Sequence, residues 1–240
     1  MADKARLSPD DIAFVRALVI YEDADVLALS KPAGLSSQGG RIAAHTLDDL
    51  LAAFAKPSGV KPRLVHRLDR DTSGVILAAR SQPAAAFLGK AMMARRVRKT
   101  YMAVVSPGAP EPRAGVIEAA LARQEIGREA YVRVAALDAP GAQTALTRYR
   151  TLKSDAVAAL MDLNPRTGRM HQLRVHLASI GRPIAGDARY GGALALYGQP
   201  IPRLMLHAAA LTFPHPAGGE RRLEAPPPAD FEALVARIGG

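Results

Sequence analysis

The chain has 240 residues, 49 % apolar and 22 % charged, the proportions of a globular protein rather than a disordered one. Lys and Arg outnumber Asp and Glu by 32 to 22, a formal net charge of +10, so the expected partner is a polyanion, nucleic acid first. There is no cysteine, which excludes disulfides, thiolate nucleophiles, iron–sulfur clusters and ordinary structural zinc sites. No apolar run follows Met1–Arg6, and none reaches the ~18 residues of a membrane span, so the sequence predicts a soluble, cytoplasmic protein.

In chain order, Arg16–Ile20 and Val26–Ser30 read as short strands, and Lys31-Pro32-Ala33-Gly34 breaks the second. Thr46–Ala55 reads as a helix, with Thr46 as N-cap and Asp49 completing a capping box. Leu64–Leu68 and Val75–Ala79 are predicted strands around the turn Asp71-Thr72-Ser73-Gly74. Ser81 caps a helix running to about Arg95, and Thr100–Val105 follows as a strand. Ser106–Pro112 reads as a loop in preference to a hinge. Four β-like runs come next: Gly115–Leu121, Tyr131–Leu137, Thr144–Leu152 and Val157–Leu163. Met170–Ile180 is a predicted helix, Leu204–Phe213 a strand and Asp230–Ile238 a closing helix. Strands come in runs without regular alternation with helices, which predicts an α+β fold with a mixed, mostly antiparallel sheet.

The positive charge is concentrated. Residues 61–101 hold ten Lys or Arg against Asp69 and Asp71, and 164–189 hold five Arg against Asp187. These residues interrupt apolar segments instead of forming a tail, so they predict a folded basic surface.

Two segments are dense in chemistry. In 63–77, Asp69 and Asp71 sit among three arginines and His66. The arginines favour an ionised Asp69, usable as nucleophile or base, and the plainer reading is an ion-paired turn. Asp71 opens a Thr-Ser-Gly turn and reads as structural. An acid pair of the glycosidase kind needs one protonated carboxyl, which three arginines oppose. In 166–177, Met170, Leu173, Leu177 and Ile180 fall on one helical stripe with Arg174 beside it. A guanidinium there either snorkels outward or requires a carboxylate, for which Asp69 is a candidate. His171 and His176 are five apart, no HExxH pattern occurs, and no phosphate-loop or GxGxxG spacing is present, so no metal and no nucleotide cofactor is expected. Tyr101, next to a basic cluster, either packs in the core or stacks on a nucleobase.

The motifs KPAGL (31–35), HRLDRDTSG (66–74), KTYMAVV (99–105), RTGRMHQLRVHLASIGRPIAGDARYGG (166–192) and LHAAALTFPHP (206–216), in this order, closely resemble the RluA-like family of RNA pseudouridine synthases. The resemblance spans about residues 17–230. It implies the pseudouridine synthase fold, with residues 1–15 as an N-terminal extension and 16–240 as one catalytic domain. It implies isomerisation of uridine in structured rRNA or tRNA, without cofactor or metal, by a monomer. It gives Asp69 as the catalytic aspartate, Tyr101 as the residue packing on the flipped uracil and a potential base, Arg174 as the partner of Asp69, Arg67 as the residue replacing the extruded base, and Leu206 as the pocket floor. The family's N-terminal S4 domain is not expected here. Ser36–Gly40 departs from the usual continuation after KPAGL. A non-catalytic RNA-binding protein on the same fold is the competing class, and a sugar hydrolase using Asp69 and Asp71 is a third.

Overall fold

The computed structural model describes residues 7–39, 45–127 and 129–240. The expectations for Met1–Arg6 and for Gly40 therefore lie outside the described residues. The chain forms two compact units, Met1–Val97 with Ala210–Pro226, and Arg98–Ala209 with Pro227–Gly240.

The first unit opens with α1 (Pro9–Ala17), β1 (Val19–Glu22) and β2 (Val26–Lys31). The strand expected at Arg16–Ile20 is instead the end of a helix and the start of a strand. Ser8 decides this: its hydroxyl accepts from Asp11 N, the Asp11 carboxylate accepts from Ser8 N, and Pro9 begins the helix. Val15 of α1 is fully buried, so the predicted 1–15 extension includes packed structure. Next come α2 (Leu47–Leu50), continued by a 3₁₀ turn through Phe54, then β3 (Arg63–Leu64), β4 (Ser73–Ala79) and α3 (Gln82–Met93). The Thr46–Asp49 capping box and the Ser81 cap form as expected.

β2 pairs antiparallel with β1 and β4, and β3 with β4. Every residue of β4 is buried, and β2 is buried at all but Ser30. This explains why both read as nearly continuous apolar runs. Val26, Ala28, Val75, Leu77 and Leu88 build the core of this unit. The predicted strand Leu64–Leu68 stops at Leu64, because the groups beyond it are bonded elsewhere: His66 Nε2 accepts from Leu77 N, and Leu68 is held by Ser37.

The second unit begins with β5 (Arg98–Val105), β6 (Ala114–Ile126), β7 (Glu129–Ala135), β8 (Gln143–Ser154) and β9 (Ala159–Pro165). They pair antiparallel in the order β5-β9-β8-β6-β7. Ser106–Pro112 is a loop inside this unit. α4 (Gln172–Ser179) places Val175 in a core with Leu121, Val132 and Ala145. The predicted start at Met170 fails, since His171 adopts a left-handed φ of 51° and Met170 is 43 % exposed, off the expected stripe. The chain then makes a small hairpin, β10 (Ala195–Leu196) and β11 (Gln199–Pro200), across Tyr197-Gly198, both at positive φ. β12 (Leu206–Pro214) gives its first residues to this unit and the rest to the first, where β13 (Glu220–Glu224) pairs with it. β13 and the hairpin were not legible, because ERRLE lacks an apolar face and two-residue strands lack any period. α5 (Ala229–Arg237) closes the chain. No described helix is long and apolar enough to cross a membrane.

Asp155 ties the C-terminus to the β8–β9 turn. Its carboxylate accepts from Val157 N and Ala158 N, from Gly239 N at 2.8 Å and from the Tyr197 hydroxyl at 2.7 Å. Burial opposes its ionisation, but these donors outweigh it and hold its pKa below the usual carboxylate range, while burial and the Asp155 bond push Tyr197 up to about 12. A carboxylate lowered on folding contributes stability above its unfolded pKa and loses it as pH falls. Acid titration followed by circular dichroism should therefore show the wild type losing stability below about pH 4 more steeply than Asp155→Asn.

Candidate active site

Asp69 lies half-buried in the loop 65–72 between β3 and β4, and Arg67 is exposed on the same loop. The loop has little regular pairing and is held by side chains. The Ser37 hydroxyl donates to Leu68 O at 2.7 Å and accepts from Leu68 N at 3.1 Å. On the other side of Asp69, Arg70 O accepts from Gly34 N at 2.9 Å and from Lys31 Nζ at 2.9 Å. Thr72 N closes a turn onto Asp69 O. Both neighbours of Asp69 are thus fixed through their backbone.

Lys31 ends β2 and is 0 % exposed. Besides Arg70 O, its ammonium donates to Pro32 O and Leu35 O, each at 2.8 Å. Three converging carbonyls solvate the buried cation in place of water. Gly34, at φ 86°, makes the bend that turns Leu35 O back toward it. The segment 31–37 read from sequence as no more than a turn, yet it clamps the Asp69 loop. The available signal was a lysine closing the apolar run VLALS. Asp71 is exposed, 4.0 Å from Arg70 Nε, which agrees with a turn position and not with half of an acid pair.

In the second unit, Arg174 on α4 meets a buried carboxylate, Asp187, and does not snorkel outward. Its Nε and Nη2 donate to Asp187 at 2.8 and 2.7 Å, and Asp187 is 1 % exposed. This bidentate pair is the strong form of the interaction. Asp187 also accepts from Arg189 N and Tyr190 N, so the carboxylate organises its own turn. The guanidinium lies 4.9 Å from the centroid of the Tyr190 ring. The Tyr190 hydroxyl accepts from Val132 N and meets His171 Nδ1 at 2.7 Å. Burial pushes that hydroxyl above the usual tyrosine range, so it stays protonated. Two glycines permit this turn. A Cβ on Gly186 would come 1.9 Å from Arg203 O, and one on Gly192 would come 1.8 Å from Ile184 O.

Gln172 and Thr147 brace the base of α4. Gln172 Oε1 accepts from Thr167 Oγ1 and Arg169 N, its Nε2 donates to Leu146 O and Thr147 Oγ1, and His176 Nδ1 meets Thr147 Oγ1 at 2.9 Å. Burial lowers the pKa of His176, consistent with a neutral structural imidazole. Tyr101 is buried on β5, opposite Leu163 of β9. Leu206, buried at the start of β12, follows Met205, whose carbonyl accepts from Val104 N of β5. The structure therefore puts Asp69 and Arg67 on one clamped loop of the first unit. It puts Tyr101 and Leu206 on neighbouring strands of the second, and Arg174 on that unit's braced helix. Asp187, Ser37 and Lys31 are the supporting residues that sequence reading did not single out. No group of three or more metal-ligating side chains occurs among the described residues.

Two substitutions test the clamp by urea unfolding at neutral pH. Ser37→Ala should destabilise by about 1–3 kcal/mol, the cost of unsatisfied buried groups at Leu68. Lys31→Met strips a donor from three carbonyls at once and should cost roughly 3–5 kcal/mol.

Comparison with known proteins agrees with the motifs. The RNA pseudouridylate synthase family model matches residues 25–179. The chain is 37 % identical over 222 residues to ribosomal large subunit pseudouridine synthase C of Salmonella typhimurium, covering 90 % of this chain and 68 % of that protein. Against the protein of the same name from Vibrio cholerae it is 37 % identical over 234 residues, covering 95 % and 71 %. Human RNA pseudouridylate synthase domain containing 4 superposes with a TM-score of 0.80 at 28 % identity, covering 95 % of this chain and 96 % of that one. The α+β architecture, the ordered motifs and these matches together establish that the chain belongs to the RNA pseudouridine synthase family.

Proposed function

We propose that this enzyme isomerises uridine to pseudouridine in large-subunit ribosomal RNA, with Asp69 as the catalytic carboxylate. The observation that carries this reading is the clamped loop: a half-buried aspartate between two residues whose backbone groups are all but immobilised by Ser37, Lys31 and Gly34. A reacting carboxylate benefits from such prior placement, since the entropy of positioning is lost on folding and not in the reaction. The substrate assignment rests on the printed names of the bacterial relatives. Transfer RNA remains within reach of a basic surface that suits any structured RNA.

In this mechanism the RNA backbone docks on the basic residues of 61–101 and the target uridine leaves its helix. Arg67, exposed two residues before Asp69, fills the vacated place and reduces the cost of unstacking. The uracil rests on Tyr101, with Leu206 below it. Asp69, with Arg174 as its partner, either attacks C1′ or takes a sugar proton to give a glycal. The C1′–N1 bond breaks, the uracil turns, and C1′ bonds to C5 as the Asp69–C1′ bond breaks in the first route, or as Asp69 returns the sugar proton in the second. A proton leaves C5 to the Tyr101 hydroxyl as that hydroxyl passes on its own, and N1 gains one, so no atom is lost or added. Arg174 arrives already aligned by Asp187, so it meets a second carboxylate without further ordering. The protein works on its own as a monomer in the cytoplasm and takes no cofactor.

Chemical mapping of pseudouridine in ribosomal and transfer RNA, in cells with and without the gene, tests the reading. One or a few large-subunit positions should be lost on deletion and restored by the wild-type gene but not by Asp69→Asn, whose RNA affinity should stay near wild type. Deletion that leaves every position modified, together with purified protein inactive on transcripts, would sink it. For the purified enzyme, Tyr101→Phe should lower turnover by roughly 10²- to 10⁴-fold, the range of a lost general base, with affinity retained. Arg174→Lys keeps the charge but loses the fork to Asp187, and should lower kcat with little change in KM.

A further inference from the structure

Residues two apart on a strand share a face, so Lys99 lies on the same face of β5 as Tyr101. Thr100 points the other way and meets Asn164. Lys99 is half-buried, and burial pushes its ammonium below the usual lysine range. Among the described residues that ammonium has no hydrogen bond and no ion pair.

The other part-buried lysines behave differently. Lys31 is enclosed by three carbonyls, and Lys61 pairs with Asp48 at 3.0 Å. A desolvated cation without a counter-group costs stability, and such a cost persists at positions that a ligand completes. RNA is the polyanion this chain takes, and phosphate is its anionic group. We infer that Lys99 is a substrate-contacting residue whose ammonium receives a phosphate oxygen of the RNA, at the nucleotide seated on Tyr101 or the one next to it. The inference rests on the proposed reading of Tyr101 as the uracil platform. It adds an anchor on the same strand, which fixes the backbone of the flipped nucleotide while Tyr101 fixes its base. The compact ammonium on a flexible stem suits a single phosphate oxygen.

The full-length protein and a large-subunit ribosomal RNA transcript provide the test, with Kd measured across a salt series and turnover measured as pseudouridine formed. Lys99→Met removes a desolvated charge, so its Tm should equal or exceed that of the wild type. Its RNA affinity should fall by roughly tenfold, and the slope of log Kd against log salt should drop by about 0.7 to 0.9, one phosphate's share. Lys99→Arg should restore the slope, and KM should rise more than kcat falls in Lys99→Met. Should Lys99→Met fail to fold, Lys99→Gln gives the same comparison.

Wild-type affinity and slope in Lys99→Met would overturn the inference. So would a lowered Tm with the slope intact, the signature of a structural lysine. A wild-type protein that binds the transcript but forms no pseudouridine would remove the functional reading, while the slope comparison still decides Lys99. A wild-type protein that binds no RNA would remove both.

Discussion

The buried Lys31 ammonium is the interaction on which the placement of the Asp69 loop depends. A lysine with no exposed surface is tolerated only when its three donors are satisfied, and here the acceptors are carbonyls from two different segments. Pro32 and Leu35 belong to the bend after β2, and Arg70 to the loop after β3. One side chain therefore joins two stretches of backbone that no sheet ladder connects. Ser37 repeats the device on the other side of Asp69, with one hydroxyl serving as donor and acceptor to the same residue. Between them the two side chains do for an irregular loop what hydrogen-bond ladders do for a strand.

The second unit solves the same problem with charge. Arg174 sits on a short helix that is buried over most of its circumference, where a lone guanidinium would be expensive. The fork to Asp187 meets that cost, and the close backbone approaches at Gly186 and Gly192 let the Asp187 turn fold tightly enough to present both carboxylate oxygens. Tyr190 covers the guanidinium face and is itself held by Val132 and His171. The polar cluster of Gln172, Thr147, Thr167 and His176 is linked by hydrogen bonds among its members and to the backbone of Leu146 and Arg169, which favours one orientation of α4 over its alternatives.

Lys31 and Lys99 show how burial separates structure from function in one residue type. The deeper lysine is surrounded by acceptors and fixes a loop. The shallower one has its charge depressed by burial and is completed by the substrate. The same division applies to the acids: Asp155 and Asp187 collect several donors and hold turns, whereas Asp69 sits in a loop that other residues hold for it.

Much of this protein was legible in the sequence. Apolar runs, the capping box at Thr46, the cap at Ser81, and turn residues placed most of the strands and helices to within a few residues, because these are local effects that act over one or two turns of chain. The ordered motifs named the family, and the helical position of Arg174 left it either to snorkel outward or to meet a buried carboxylate. That this carboxylate is Asp187, that Lys31 and Ser37 grip the Asp69 loop, that Met170 lies outside α4, and that β13 and the short hairpin exist were decided by tertiary structure alone. The Arg174–Asp187 and Lys31–Arg70 contacts join groups 13 and 39 positions apart in the chain, and neither a period nor a propensity carries that information. Residue types and spacings determined which groups needed partners, and only the folded chain determined which partners they found.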